Sequence, residues 1–111
     1  MDKNEALLAL TALSQDKRLD VFRLLVQAGP NGMPAGTIAD KLNSLQNTMS
    51  TNLAILERAG LILKKREGRS IRYRANYLCM RELLFYLMQN CCGCQRSEID
   101  QALNALFPHN Y

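Results

Sequence analysis

The run "NCCGCQR", residues 90–96, places Cys91, Cys92 and Cys94, three of the chain's four cysteines, within four positions. Thiols packed so closely are the donors of a metal cage, the partners of a redox switch, or an incidental cluster where a helix stops. Side chains at successive positions of an intact helix diverge, so Cys91 and Cys92 converge on one ion most easily where the helix ends. Gly93 permits that ending through a left-handed residue directly after the pair. Zinc wants a fourth ligand, for which the sequence offers only Cys79, well upstream, or His109 on the tail. The same run contains a C-x-x-C, Cys91 to Cys94, beside the basic Arg96, a setting that can make thiols reactive. Cys79, isolated among apolar residues, reads as a small core side chain, and Met80, Tyr86 and Met88 as interface packing rather than a ligand box.

The elements that hold this run belong to a chain of 111 residues, the size of one domain spanning 1–111. Its 48% hydrophobic and 22% charged residues exclude a disordered chain, and no apolar run approaches a membrane span. The N-terminus carries Asp2 and Glu5 where a signal peptide would be basic, which leads us to expect a cytoplasmic protein. In that reducing compartment cysteines serve as thiols, ligands or sensors more often than as disulfides. A net charge of +4 favours a polyanionic partner. No His/Cys or carboxylate arrangement suited to catalysis is present, so an enzyme is not expected.

Periodicity divides the chain into helices followed by a hairpin. Ala6, Leu7, Leu10 and Leu13 recur at helical spacing over residues 3–14. A second amphipathic helix follows, with Ser14 or Asp16 as N-cap, Leu19, Phe22, Leu25 and Val26 on one face, and Gly29-Pro30 as the stop. "NGMPAG" reads as a loop, and "TIADKLN" as a short helix turning Ile38, Ala39 and Leu42 inward. After a break at Asn43-Ser44, "QNTMSTNLAILERAG" predicts a longer helix with Met49, Leu53 and Leu56 on its inner face and Gly60 at its end. "LILKKREGRSIRYRA" changes period to two around Gly68, the pattern of a two-stranded hairpin. "NYLCMRELLFYLMQN" is apolar on nearly every side, more than one small monomer needs to bury, and points to a partner subunit. In the tail, Ile99, Leu103 and Leu106 fit a short helix that covers the sensor site or the dimer seam.

This order describes a mainly α, winged helix-turn-helix domain whose wing is the two-stranded β-hairpin. The core positions of the longer helix leave Gln46, Asn47, Thr48, Ser50, Thr51 and Asn52 as outward candidates for base or phosphate contacts in a major groove. The hairpin adds Lys64, Lys65, Arg66, Arg69, Arg72 and Arg74 for phosphates, of which alternate residues must share a face. A polar helix face and a basic hairpin each occur on proteins that bind no nucleic acid, and winged helices also serve as protein-interaction modules. It is their combination around a tight turn that favours DNA.

Over residues 6–92 the sequence resembles the ArsR-type (ArsR/SmtB) family of winged-helix metal-sensing repressors, on "ALSQDKRLDVFRLLVQAG", "IADKL", "QNTMSTNLAILERAGLI" and "EGRSIRYRA". The resemblance implies a homodimer joined through its first and last helices, bound to double-stranded operator DNA with an inverted repeat whose half-sites lie about one helical turn apart. One departure precedes the recognition helix, where Leu45 stands in place of the usual Ser or Pro and Asn43 in place of the common Gly, so that Ser44 or Asn47 becomes the candidate cap.

Sensors of this family differ in where their ligands lie. Residues 35–43 hold no cysteine, and residues 76–90 no His or Asp, so two of the family's sites are missing. "CCGC" is similar to a third arrangement, associated with arsenite-responsive members, an adjacent pair with a third cysteine several residues later. It implies Cys91 and Cys92 as ligands and 91–111 as a C-terminal sensor segment, and because no cysteine follows Cys94, Cys94 becomes the candidate third ligand. Trivalent arsenic or antimony takes three soft sulfurs in a pyramid and would act as inducer, with no permanent cofactor. Thiol redox or persulfide sensing is the alternative, and zinc a weaker one.

Overall fold

The first helix, α1 (Lys3–Leu13), begins at a reciprocal cap. The Asp2 carboxylate accepts from the Glu5 backbone N–H at 2.8 Å, and the Asp2 N–H donates to the Glu5 carboxylate at 3.2 Å. The computed structural model describes residues 1–89 and 96–106. The buried face of α1 is Ala6, Ala9 and Ala12, whose small side chains let the helix lie close against its neighbours. Leu7 and Leu10, expected at core spacing with Ala6 and Leu13, are instead exposed, together with Leu8.

Helix α2 (Asp16–Ala28) is capped neither by Ser14 nor by Asp16 but by Gln15, whose side-chain oxygen accepts from the Arg18 N–H at 2.9 Å. The longer amide reaches the same orphan donor that a Ser or Asp would satisfy, and leaves the Asp16 carboxylate free to favour the helix dipole from the first turn. Val21, Phe22 and Leu25 are buried. With the stripe centred on these three, Leu19 and Val26 stand about a quarter turn or more to the side and are 42% and 39% exposed, correcting the expected inward face.

After Gly29 ends the helix at φ +81°, the chain turns through Gly32 and forms a short strand, β1 (Met33–Pro34). The helix-turn-helix follows as α3 (Ala35–Lys41) and α4 (Gln46–Arg58). Between them Asn43 takes a left-handed conformation, φ 51°, and the N–H groups of Asn43 and Ser44 donate to the carbonyls of Asp40 and Ala39. This is a Schellman ending in which Asn serves where Gly is the usual residue. Leu45 is the N-cap of α4 and offers no side-chain bond, so neither Ser44 nor Asn47 takes the capping role.

Strands β2 (Ile62–Glu67) and β3 (Ser70–Ala75) pair antiparallel from Ile62↔Ala75 to Glu67↔Ser70 around Gly68, at φ 63°. A positive φ at the first of two loop residues matches the twist of a tight hairpin. β3 also pairs with β1, Met33↔Tyr73 and Pro34↔Arg72, so the sheet has three strands in the order β1-β3-β2. The expected two-stranded hairpin is present, and β1 adds to its base a third strand that the sequence pattern does not announce. Pro34, lacking an N–H, is tolerated because β1 is an edge. Gly32 makes the approach possible, since a Cβ there would stand 1.9 Å from the Tyr73 carbonyl oxygen.

Asn76 joins the sheet to the next helix, α5 (Tyr77–Met88). Its side-chain oxygen accepts from the Cys79 N–H at 3.3 Å while its amide donates to the Gly60 carbonyl at 2.9 Å. The Tyr77 hydroxyl reaches back to the Val26 carbonyl at 3.0 Å. Helix α6 (Arg96–Leu106) packs on α5 through Ile99 and Leu103, while Arg81 of α5 bonds Asp100 at 3.3 Å and Asn104 of α6. Leu106, expected on the same apolar face, is exposed. No described helix is long and apolar enough to cross a membrane.

Candidate nucleic-acid interface

Helix α4 presents two unlike faces because its apolar residues recur at helical spacing. Met49, Leu53 and Leu56 are buried, and this stripe anchors the helix against α2 and β2. Gln46, Asn47, Thr48, Ser50 and Thr51 are all exposed. Asn52, expected outward, is only 6% exposed, because it lies three residues after Met49 and four before Leu56 and so falls within the core stripe. The outward set is therefore five residues near the helix start. Thr51 donates to the Asn47 carbonyl at 3.1 Å, and the Asn47 side-chain oxygen accepts from the Thr48 N–H at 2.8 Å. These are short polar groups held near the helix N-terminus, whose backbone donors and dipole favour phosphate oxygens.

The wing lies beside this helix and is tied to it. Lys64 of β2 reaches the Glu57 carboxylate in the last turns of α4 at 3.2 Å. The strand register then divides the basic residues. Lys64 and Arg66 share a face with Ile62, Ile71 and Tyr73, the side turned toward the body, whereas Lys65, Arg72 and Arg74 share the opposite one with Glu67. Arg69 sits in the hairpin loop. The six cations do not form one surface.

The second face borders a cleft of about 290 Å³ lined by Pro30, Asn31, Lys65, Glu67, Arg72 and Arg74. Arg72 donates from Nε to Glu67 at 2.8 Å and points its terminal nitrogen at the carbonyls of Asn31, 3.3 Å, and Gly32, 3.5 Å. The hydrogen bond from Arg72 is the main reason the Glu67 carboxyl is held below its ordinary value. Nothing in the local pattern of β2 and β3 signals these two carbonyl partners, which lie forty residues away in sequence.

Cys91, Cys92, Cys94 and His109 lie outside the described residues, as do Gly93 and the run's flanks at 90 and 95. Among the described residues no group of three or more His, Cys, Asp or Glu could hold a metal ion. Cys79 is a half-buried free thiol packed against the core, as expected. Burial, and then the nearby Glu5 carboxylate, push its thiol up from the ordinary value. It lines a cleft of about 380 Å³ between Glu5 and Leu8 of α1, Arg58 and Gly60 at the end of α4, and Leu78 of α5. Leu8 and Leu78 on that rim are 49% and 61% exposed, and Leu7, Leu87 and Met88 are exposed as well.

A helix-turn-helix domain family matches residues 13–64. The transcriptional activator HlyU of Vibrio cholerae is 29% identical over 75 residues, covering 66% of this chain and 67% of that protein. The homodimeric winged helix-turn-helix DNA-binding domain of a possible ArsR-family regulator from Mycobacterium bovis superposes with a TM-score of 0.64 at 27% identity, covering 97% of this chain and 88% of that one. An ArsR-like transcriptional regulator from a Rhodococcus species gives 0.66 at 24% identity over 93% and 90% of the two chains. The turn between α3 and α4, the wing laid beside α4 and these likenesses agree: the chain carries a helix-turn-helix segment at 13–64 set within a winged-helix fold.

Proposed function

We propose that this protein is a homodimeric transcriptional repressor that holds double-stranded operator DNA and lets it go when trivalent arsenic or antimony binds Cys91, Cys92 and Cys94. The observation that carries the DNA reading is the exposed polar face of α4 beside a basic wing fixed to it through Lys64 and Glu57. Gln and Asn amides suit paired bonds to adenine, Ser and Thr hydroxyls suit base edges or phosphates, and the wing cations supply a salt-dependent phosphate term. The exposed leucines of α1 and α5 support a symmetric pair, which sets two recognition helices for an imperfect inverted repeat.

The inducer reading rests on the donor set. Three thiolates match a soft three-coordinate centre, and in sequence the three cysteines fall between α5 and α6, where ligation would act on the helix that faces the proposed second subunit. Release requires the ion to bind the DNA-free form better, with a coupling of about 1–3 kcal/mol. The C-x-x-C within the same run supports a second reading, thiol redox or persulfide sensing in the cytoplasm.

A duplex selected from random sequence by the protein, titrated with arsenite, antimonite, zinc, cadmium and peroxide in parallel, separates these readings. Release by arsenite or antimonite that is lost in Cys91→Ser, Cys92→Ser and Cys94→Ser is the expected result. Release by peroxide alone selects the redox reading, and failure to select any duplex over competitor DNA selects a protein-interaction module. Transcription from a promoter bearing the selected site reads whether binding represses or, as the name of the Vibrio relative has it for that protein, activates.

A further inference from the structure

Among the basic residues of the wing, Arg72 differs in what its side chain touches. The guanidinium spans three anchors: the Glu67 carboxylate at 2.8 Å and the carbonyls of Asn31 and Gly32 at 3.3 and 3.5 Å. Glu67 is the last residue of β2, paired with Ser70 across the hairpin loop, so it marks the outer end of the wing. Asn31 and Gly32 belong to the turn that leaves α2, and that turn is pressed on β3 so closely that Gly32 has no room for a Cβ. Arg72 itself sits at the crossing point, paired with Lys65 on one side and Pro34 on the other. It is also less exposed than a free surface cation, with 36% of its side chain open.

We propose that Arg72 is a positioning residue, a brace that fixes the angle of the wing relative to the body, and that phosphate contact is left to Lys64, Lys65, Arg66, Arg69 and Arg74. The brace has the geometry for this. A planar fork can hold a carboxylate on one edge and backbone carbonyls on another, which a single ammonium cannot. Lys64–Glu57 and the packing on α2 and α4 hold the base of the ribbon, whereas its outer end lies beyond β1, which covers only Tyr73 and Arg72, and there the Arg72–Glu67 pair is the tie to the body. The pairing also explains an acidic residue at the tip of an otherwise basic wing. Glu67 lies where a carboxylate opposes DNA binding by its charge, and its partner gives it a reason to be there.

The proposal deepens the DNA reading, and its first test does not depend on that reading. Amide hydrogen exchange of β2 and β3 in the DNA-free protein is compared between wild type, Arg72→Ala, Arg72→Lys, Glu67→Gln and Lys65→Ala. A brace predicts wing exchange about two- to fivefold faster in the first three variants, the range an exposed but multiply bonded ion pair commands, and unchanged in Lys65→Ala. The second test is affinity for the selected duplex across salt concentrations. Lys65→Ala weakens binding and lowers the salt slope by about 1, as loss of one phosphate contact does. Glu67→Gln removes a negative charge and nevertheless weakens binding, and Arg72→Lys, which keeps its charge, fails to restore it. Stronger binding in Glu67→Gln, or wild-type exchange and affinity in Arg72→Lys, overturns the brace and returns Arg72 to the phosphate contacts. If no duplex is selected, the exchange measurement alone decides the brace.

Discussion

Helices α1 and α4 are nearly equal in length, 11 and 13 residues, and expose opposite kinds of surface. On α4 chemistry and burial agree: Met49, Leu53 and Leu56 are inside, and Gln46, Asn47, Thr48, Ser50 and Thr51 are outside. On α1 they disagree, for alanines fill the inner face while Leu7, Leu8 and Leu10 stand in the open. Helix α4 is complete within one chain and has polar groups to offer water or a nucleic acid. Helix α1 leaves apolar area uncovered next to that of α5, and burying it yields about 25 cal/mol for each Å² removed from water. The same periodicity rule thus marks one helix for the core of a monomer and leaves the other with an exposed apolar face, the one that the proposed second copy would cover.

The largest expected effect tests the α4 side of this contrast. Leu56→Ala should lower unfolding stability by about 2–5 kcal/mol in denaturant titration, since a fully buried leucine leaves a cavity among well-packed neighbours. Leu8→Ala, at dilutions where the chain is monomeric, should change stability by well under 1 kcal/mol, as surface changes do. Equal losses in the two variants at such dilution would show α1 buried in the monomer and erase the contrast. The α1 side is tested next by charge. Leu8→Glu and Leu78→Glu, on the rim of one cleft, should weaken self-association by about thirtyfold or more in sedimentation, the equivalent of an interface residue worth about 2 kcal/mol. Their thermal midpoints should also cease to depend on protein concentration. Persistence of the wild-type dimer in both variants would move the seam elsewhere.

A third prediction takes the outer face of α4. Asn47→Ala should cost about 1–3 kcal/mol in specific DNA binding while leaving non-specific binding and unfolding nearly untouched, and Asn52→Ala should do the reverse, because its side chain is in the core stripe. A mobility-shift titration with and without competitor DNA, beside a denaturant curve, distinguishes the pair. Exchanged outcomes would mean that Asn47 lies on the inner face of α4 and Asn52 on the outer, against the burial order along the helix.

Helix boundaries were readable in the sequence where a residue type has one physical use. Gly29, Gly60 and Gly68 each stop or turn the chain at positive φ, and Met49, Leu53 and Leu56 repeat at a spacing that only a helix puts on one side. Partners distant in sequence were not readable. β1 is two residues long and becomes a strand only because Tyr73 and Arg72 lie alongside, and Gln15 caps α2 although Ser14 and Asp16 have the better capping chemistry. The α1 leucines misled for a further reason. Hydrophobic spacing identifies an apolar face without saying whether the same chain or another covers it, and here the alanines set the inner direction. Of the candidate site, the polar residues of α4 and the wing cations were visible at once, whereas the split of those cations between two faces required the register, and the braced role of Arg72 required the turn after α2.

The smallest effect concerns Cys79, which lies at the junction of the two regions, lining the cleft between the end of α4 and the exposed leucines. Its thiol is raised by burial first and by Glu5 second, so the folded chain holds the proton more tightly than the unfolded chain does. The sign follows. The resulting stabilisation is fully present below the unfolded thiol value of about 8.5 and is lost as pH rises through the higher folded value. Because the group is half exposed, the stability change is small, and reactivity is the better readout. Alkylation mapped by mass spectrometry at mildly alkaline pH should find Cys79 slower than a thiol in an unfolded peptide. If α1 and α5 meet a second copy across this cleft, Cys79 should slow further as protein concentration rises, and Leu78→Glu should abolish that dependence. A rate independent of concentration in the wild type, at concentrations where dimer is present, would place the cleft outside the seam and leave the α1 leucines to cover something else.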